Sequence, residues 1–237
     1  MVETLKPTEV LETPNQTTET VEEFDYSEFL NLKEPGAIYS AVKRAFDFCV
    51  ATVAIIVLLI PLLVISLIIR ATSKGSAIFV QKRVGKNGKV FKMYKFRTMH
   101  IDTPEYLATA EIDDPDKYIT KMGKILRRFS LDELPQIINI FKGDMSLIGP
   151  RPLIPEETDV HEMRKKVGVY KLRPGITGWA QVNGRDSVTP VQKARYDAMY
   201  LRDFGAKMDL KIFFITIKKV IGAIDVVEGK ESLEQEV

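Results

Sequence analysis

Asp132 and Glu133 stand side by side within residues 124–151 (KILRRFSLDELPQIINIFKGDMSLIGPR). Arg127 and Arg128 come just before them, and Arg151 follows in a Gly-Pro-Arg turn. Guanidinium groups around a carboxylate pair suit phosphates, because the arginine fork binds two phosphate oxygens at once. Such a carboxylate pair can also share a hard divalent cation with those phosphates. With only His100 and His161 in the chain, a multi-histidine zinc site is excluded. The metal to expect is therefore Mg²⁺ or Mn²⁺ held by carboxylates and phosphate oxygens. The lone Cys49 cannot form an internal disulfide and indicates a reducing compartment.

Ser130-Leu131-Asp132-Glu133 fits a capping box with Ser130 as N-cap; with Asp132 as N-cap instead, Pro135 falls within the first turn. Either frame puts the acids at a helix N-terminus, whose field keeps Asp132 ionised and favours phosphate beside it. Acids in a first helical turn are also ordinary capping residues, so spacing alone leaves the catalytic role open. Asp144 reads equally as a second metal-site acid or as a loop cap.

The elements that must position these residues begin with an apolar run. Residues 48–69 carry no charge, and as a helix they would span about 33 Å, enough to cross a bilayer core. Lys43 and Arg44 on one flank and Arg70, Lys74, Lys82 and Arg83 on the other give no charge bias. Pro61 interrupts the run. A re-entrant helix broken at Pro61 accounts for both facts better than a single span does.

A β-hairpin is expected from 77–84 and 90–98 around Asn87-Gly88, a type I′ pair. Its second arm carries Lys92, Lys95 and Arg97, either solvated or forming a basic wall beside an anionic ligand. Asp113, Asp114 and Asp116 lack EF-hand spacing and read as a turn. Helical periodicity returns over 120–129 and through Leu134, Ile137, Ile138 and Phe141, stopping at Gly143. Gly-Pro loops follow at 149–155 and 173–178. Residues 207–224 form an amphipathic helix that either lies in the headgroup region or packs on the core.

Residues 1–34 hold nine acids against two lysines, so the chain's net +2 conceals a body of +9. Such a body favours a membrane face, a nucleotide or a phospholipid. No recognised nucleic-acid-binding motif accompanies it, so nucleic acid is not expected. The division expected is an acidic, mostly disordered tail (1–34), a membrane anchor (35–74), a catalytic domain (75–226) and an acidic C-terminal tail (227–237). Within the first tail, 24–32 could form a short amphipathic helix docked on the body. The fold class is α+β and mainly helical.

Taken together, FKMYKFRTM, SLDELPQIINIFKGDMSLIGPRPL and LRPGITGWAQVNGR resemble the bacterial sugar transferase family, the monotopic phosphoglycosyl transferases, over about residues 43–224. The resemblance implies transfer of a sugar 1-phosphate from a UDP-sugar to undecaprenyl (polyprenyl) phosphate at the cytoplasmic face of a bacterial membrane. It implies that Asp132 attacks the β-phosphate, expels UMP and carries a covalent phospho-sugar, with Glu133 coordinating Mg²⁺. Arg127 and Arg151 match phosphate-contacting positions, and Lys95, Arg97, Asn183 and Arg185 are weaker candidates for nucleotide or sugar contact. Trp179 and Tyr170 could stack on a base or simply be buried.

The resemblance also implies a Pro61-broken re-entrant anchor. Ile60, where some members have serine, removes a local hydroxyl, and Gly75-Ser76-Ala77 departs from a common Gly-Pro. A small catalytic-core form, without the multi-span region of some relatives, is expected, and a homo-oligomer is compatible. Two other readings use the same residues. A lipid-diphosphate hydrolase would use water as acceptor, and a non-enzymatic membrane adaptor would bind anionic lipid through its basic face.

Overall fold

A computed structural model of the protein describes residues 24–29, 32–101, 103, 115–184 and 188–222. The acidic segment before Phe24, Asp113, Asp114, Arg185 and the C-terminal tail lie outside the described residues.

The architecture is mainly helical with two small sheets, in the order α1 (Ala37–Thr72), β1 (Ile78–Val84), β2 (Val90–Phe96), α2 (Pro115–Tyr118), α3 (Lys121–Arg128), α4 (Gln136–Lys142), β3 (Ser146–Ile148), α5 (Thr158–Val167), β4 (Gly175–Thr177), α6 (Trp179–Asn183), α7 (Pro190–Arg202) and α8 (Ala206–Gly222). Pro115 and Asp116, read from sequence as part of a turn, open the short α2.

The hairpin forms as its turn residues dictate. β1 and β2 pair antiparallel with Val84 opposite Val90. Lys89 N–H donates to Lys86 C=O, and both Asn87 and Gly88 have positive φ, 58° and 72°. That is the type I′ geometry, which suits the right-handed twist of the arms.

α3 starts where Thr120 accepts the Gly123 N–H at 2.9 Å, and α4 stops at Gly143 with φ 88°. Gly123 is required for another reason: a Cβ there would stand 2.0 Å from the Thr98 carbonyl oxygen, so only glycine lets α3 lie against the end of the hairpin. α4 is clamped to β2 by Asn139, which is fully buried. Its amide accepts from Tyr94 N–H at 3.1 Å and donates to Lys92 C=O at 2.7 Å and Asp144 Oδ2 at 3.2 Å. Asn139→Ala leaves the two strand groups unsatisfied in a buried place and is expected to cost about 3 kcal/mol by denaturant titration.

β3 and β4 pair parallel, Ser146 with Gly175 and Ile148 with Thr177. The two Gly-Pro loops meet here backbone to backbone. A Cβ on Gly149 would fall 2.3 Å from the Arg173 carbonyl oxygen, and one on Gly175 would fall 2.1 Å from the Gly149 nitrogen. The close approach fixes the start of the Arg151 turn.

Under the loops lies the main core, in which Leu153, Val160, Met163, Val169, Ala194 and Ala198 are buried with Phe24 and Phe29. The segment before α1 therefore docks on the body. Its helical content is a single 3₁₀ turn, Ser27–Phe29.

α1 is, among the described residues, the one helix long and apolar enough to cross a membrane by length and composition. The helix continues through Pro61, so the break expected at that proline does not interrupt it. Pro61 forfeits one backbone donor, and the helix carries on to either side of it. Both ends of α1 touch the same body. Near its start, Tyr39 and Lys43 bond Asp209 Oδ2 at 2.7 and 2.6 Å, Asp47 accepts the Leu147 N–H, and Ala51 joins Met93, Ile140 and Met145 in a core. Near its end, Ile69 packs with Ala77, Phe96 and Leu126, with Leu62 and Ile65 against them. Between these contacts Val53, Ile56, Val57, Ile60, Leu63 and Leu67 are all more than half exposed.

α8 has the mixed character its spacing foretold. Met208 and Ile212 are buried, whereas Leu210, Phe213 and Phe214 are exposed.

Candidate active site

Asp132 and Glu133 lie on a 3₁₀ turn, Leu131–Glu133, one step before α4. Ser130 enters the turn in the left-handed region (φ 54°) with no side-chain capping bond, and Pro135 occupies the N-cap of α4. Ser130 is therefore the N-cap residue, as in the first frame read from sequence, but without the side-chain bond of a capping box and on a 3₁₀ turn, while the helix that the second frame starts at Asp132 begins only at Gln136. The turn is held by Glu133 N–H on Ser130 C=O (3.3 Å) and Leu134 N–H on Leu131 C=O (3.2 Å).

The field around the acids comes mainly from side chains. Lys95 Nζ reaches Glu133 Oε1 at 2.8 Å, and Arg151 stands 3.9 Å from the same oxygen. Arg127 is oriented by Thr98, whose buried hydroxyl accepts from its Nε at 2.9 Å. Arg83, Lys95, Glu133, Gln136 and Arg151 line a shallow, solvent-open recess at this place. Four cations against two acids leave this neighbourhood with a net charge of +2, suited to a diphosphate.

Arg83 was legible in sequence only as a flanking charge of the apolar run. It enters the site because Val84 N–H bonds Leu153 C=O, laying β1 against the Arg151 loop. Its guanidinium donates to Pro152 C=O and Gln81 Oε1. Burial, helped by nearby Arg151, pushes the Arg83 pKa down to about 10.

Burial pushes the Asp132 carboxyl up to about 6, with Lys95 and Arg127 pulling it down and Glu133 pushing it up. Desolvation thus outweighs the pull of the cations, in place of the helix-terminal field expected to hold the acid ionised. Asp132 is still mostly ionised at neutral pH, and a raised pKa makes it a better nucleophile. If it must be ionised to react, kcat/KM falls as pH drops through about 6, tenfold per unit below it. A pH–rate profile of the free enzyme measures this limb.

Other sequence candidates lie elsewhere. Arg97 caps the end of α1 through Ser73 C=O (3.0 Å), Ser73 Oγ (2.8 Å) and Lys74 C=O. Asn183 caps its own helix on Trp179 C=O at 2.7 Å, and Arg185 is outside the described residues. Asp144 lies past the far end of α4, where its Oδ2 accepts from the Asn139 amide at 3.2 Å. Trp179 is half-buried with Lys211 Nζ 4.5 Å above its ring, and Tyr170 pairs with His161.

Arg164 carried no signal in the sequence. It is 1% exposed, paired with the fully buried Asp197, and donates to Arg151 C=O at 2.9 Å. It thereby holds the backbone from which Arg151 reaches Glu133.

Among the described residues no cluster of three or more His, Cys, Asp or Glu forms a metal site. The adjacent acids fit Mg²⁺ in the mode where one or two carboxylates bind and substrate phosphate oxygens supply further ligands.

The sequence profile of the Bacterial sugar transferase family matches residues 38–223. An undecaprenyl-phosphate glucose phosphotransferase of Komagataeibacter xylinus is 39% identical over 192 residues, covering 76% of this chain and 36% of the relative. A UDP-glucose:undecaprenyl-phosphate glucose-1-phosphate transferase of Escherichia coli K12 is 38% identical over 187 residues, covering 75% and 40%. The exopolysaccharide production protein ExoY of Rhizobium meliloti is 34% identical over 211 residues, covering 82% and 93%. The chain thus spans well under half of the first two relatives and nearly all of the third. With the profile covering most of its length, the chain belongs to the bacterial sugar transferase family.

Proposed function

We propose that the protein transfers a sugar 1-phosphate from a UDP-sugar to undecaprenyl phosphate, giving polyprenyl-diphospho-sugar and UMP and initiating synthesis of an exopolysaccharide or related glycan. The observation that carries this reading is the half-buried Asp132 beside Glu133, with Lys95, Arg83, Arg127 and Arg151 around the pair. The names of two relatives, which specify undecaprenyl phosphate and a transferred glucose phosphate, support it.

In this account the cations bind the diphosphate, and Asp132 attacks the sugar-bearing phosphorus. An Asp132 Oδ–P bond forms and the bridging P–O bond to UMP breaks. Polyprenyl phosphate oxygen then displaces Asp132 from phosphorus and releases the lipid product. Splitting the displacement in this way keeps the donor's phospho-sugar on the protein while UMP departs. Mg²⁺ held by Glu133 and the phosphates, when bound, would neutralise charge on the leaving group.

Contact of both ends of α1 with one body supports a re-entrant or interface-lying anchor. A helix standing straight across the bilayer would carry the polar surface of that body into hydrocarbon.

The test is UMP release from a panel of UDP-sugars by detergent-solubilised protein with Mg²⁺ and undecaprenyl phosphate. UMP from at least one donor, coupled to labelled lipid, is expected. Folded protein that yields no UMP from any donor would leave the adaptor reading in its place. Inorganic phosphate or free sugar phosphate without lipid product would favour the hydrolase.

A further inference from the structure

A second, shallow recess open to solvent shares no lining residue with the one at the acid pair. Lys43, Arg44 and Asp47 line it from the start of α1, with Lys86 from the hairpin turn, Ser146 from β3, and Lys171 and Arg173 from the loop before β4. It sits where α1 passes from its charged first turns into the uncharged run from Phe48, beside exposed Phe46 and Phe48.

The charges here are not balanced. Lys43 is neutralised by Asp209, and Lys171 by Glu34. Among the described residues Arg44 donates only to the neutral carbonyls of Ile140 and Phe141, and Arg173 only to that of Gly143 through its Nε. The Lys86 ammonium has no hydrogen bond or ion pair among the described residues. One lining carboxylate, Asp47, faces these three cations, and its Oδ1 already accepts the Leu147 N–H. Burial and the neighbouring Arg173 lower the Lys86 pKa, and burial and Arg44 lower that of Arg173. The like charges therefore feel one another.

An independent sign of a missing ligand is Ser146. It is 1% exposed, and its hydroxyl has no partner among the described residues. A buried hydroxyl left unpaired costs free energy that a bound oxygen would remove.

We propose that this recess is a second anion site, taking the phosphate of an anionic phospholipid headgroup through Lys86, Arg44, Arg173 and the Ser146 hydroxyl. The assignment to lipid rests on the reading of α1 as a membrane anchor, because the recess then lies at headgroup depth. A bound headgroup would fix the body's height and tilt on the membrane without taking part in the chemistry.

The test is thermal unfolding of the full chain in a neutral detergent, titrated with short-chain phosphatidylglycerol, phosphatidylcholine or inorganic phosphate. Phosphatidylglycerol is expected to raise Tm, and phosphatidylcholine is not. Lys86→Glu should shift the phosphatidylglycerol midpoint to about tenfold higher concentration. Lys165→Glu, an exposed control on α5, should not shift it. An unchanged midpoint in Lys86→Glu, or no response to phosphatidylglycerol, overturns the site. An equal response to inorganic phosphate overturns its assignment to lipid. Lys86→Glu should still release UMP from dispersed substrates, whereas Asp132→Asn should lose UMP and keep the phosphatidylglycerol response. Failure of this site and failure of the transferase reading are thus distinguishable.

Discussion

Asp132→Asn is expected to lower UMP release by at least about 10⁴-fold, the scale on which loss of a nucleophile ordinarily registers. The amide keeps the shape of the side chain, so the turn on Leu131–Glu133 and the Lys95–Glu133 contact should survive. Stability should move the other way. A carboxyl raised in the folded state contributes stability that is fully present below its unfolded pKa of 3.8 and is lost as pH rises through about 6. At pH 7.5 the wild type therefore carries the full cost of an ionised, half-buried Asp132. Removing the charge should stabilise the protein by up to about 3 kcal/mol. Below pH 4 the two proteins should unfold alike, and paired denaturation curves at the two pH values measure this. A mutant that is inactive and also destabilised at pH 7.5 would point to a structural role for the carboxylate.

Arg164→Ala is expected to produce the largest loss of stability, about 4 kcal/mol, because it leaves Asp197 charged, buried and without its guanidinium. Burial already raises the Asp197 pKa against the pull of Arg164. Removing the arginine would therefore drive the acid toward protonation. The same change frees Arg151 C=O, so the residual folded protein should also bind the donor less well. Replacing the pair together, Arg164→Met with Asp197→Leu, should recover much of the stability, since a buried pair is often matched by apolar residues of similar volume. It should not recover donor affinity, because the bond to Arg151 C=O stays lost. Chemical denaturation and KM for the donor separate these two effects.

Much of the fold was legible because its signals are local. Asn87-Gly88 can hardly be other than a tight hairpin turn, and Thr120 and Gly143 mark ends that need no distant partner. The acid pair and its arginines were legible as a motif. Their backbone frame was not, because a 3₁₀ turn entered through a left-handed Ser130 has no periodicity to read.

Side-chain roles that depend on long-range pairing were hidden. Arg83 looks like a charge beside an apolar segment until β1 is laid along Leu153. Lys95 and Arg97 share a strand face on paper, yet β2 ends at Phe96, and Arg97 turns to the end of α1 while Lys95 reaches the acids. Arg164 and Asp197 stand on separate helices, and nothing near either one announces the other. The proline signal in α1 was locally correct in removing a donor, but it does not fix whether the helix stops there.

The most direct test of the central claim is the intact mass of the protein after rapid quench with a productive UDP-sugar and Mg²⁺, without lipid acceptor. The account predicts a gain of one sugar phosphate, located on the peptide containing Asp132, which disappears when undecaprenyl phosphate is added. Lipid product and UMP formed at full rate, with no adduct at any time point and with Asp132→Asn still active, would contradict it.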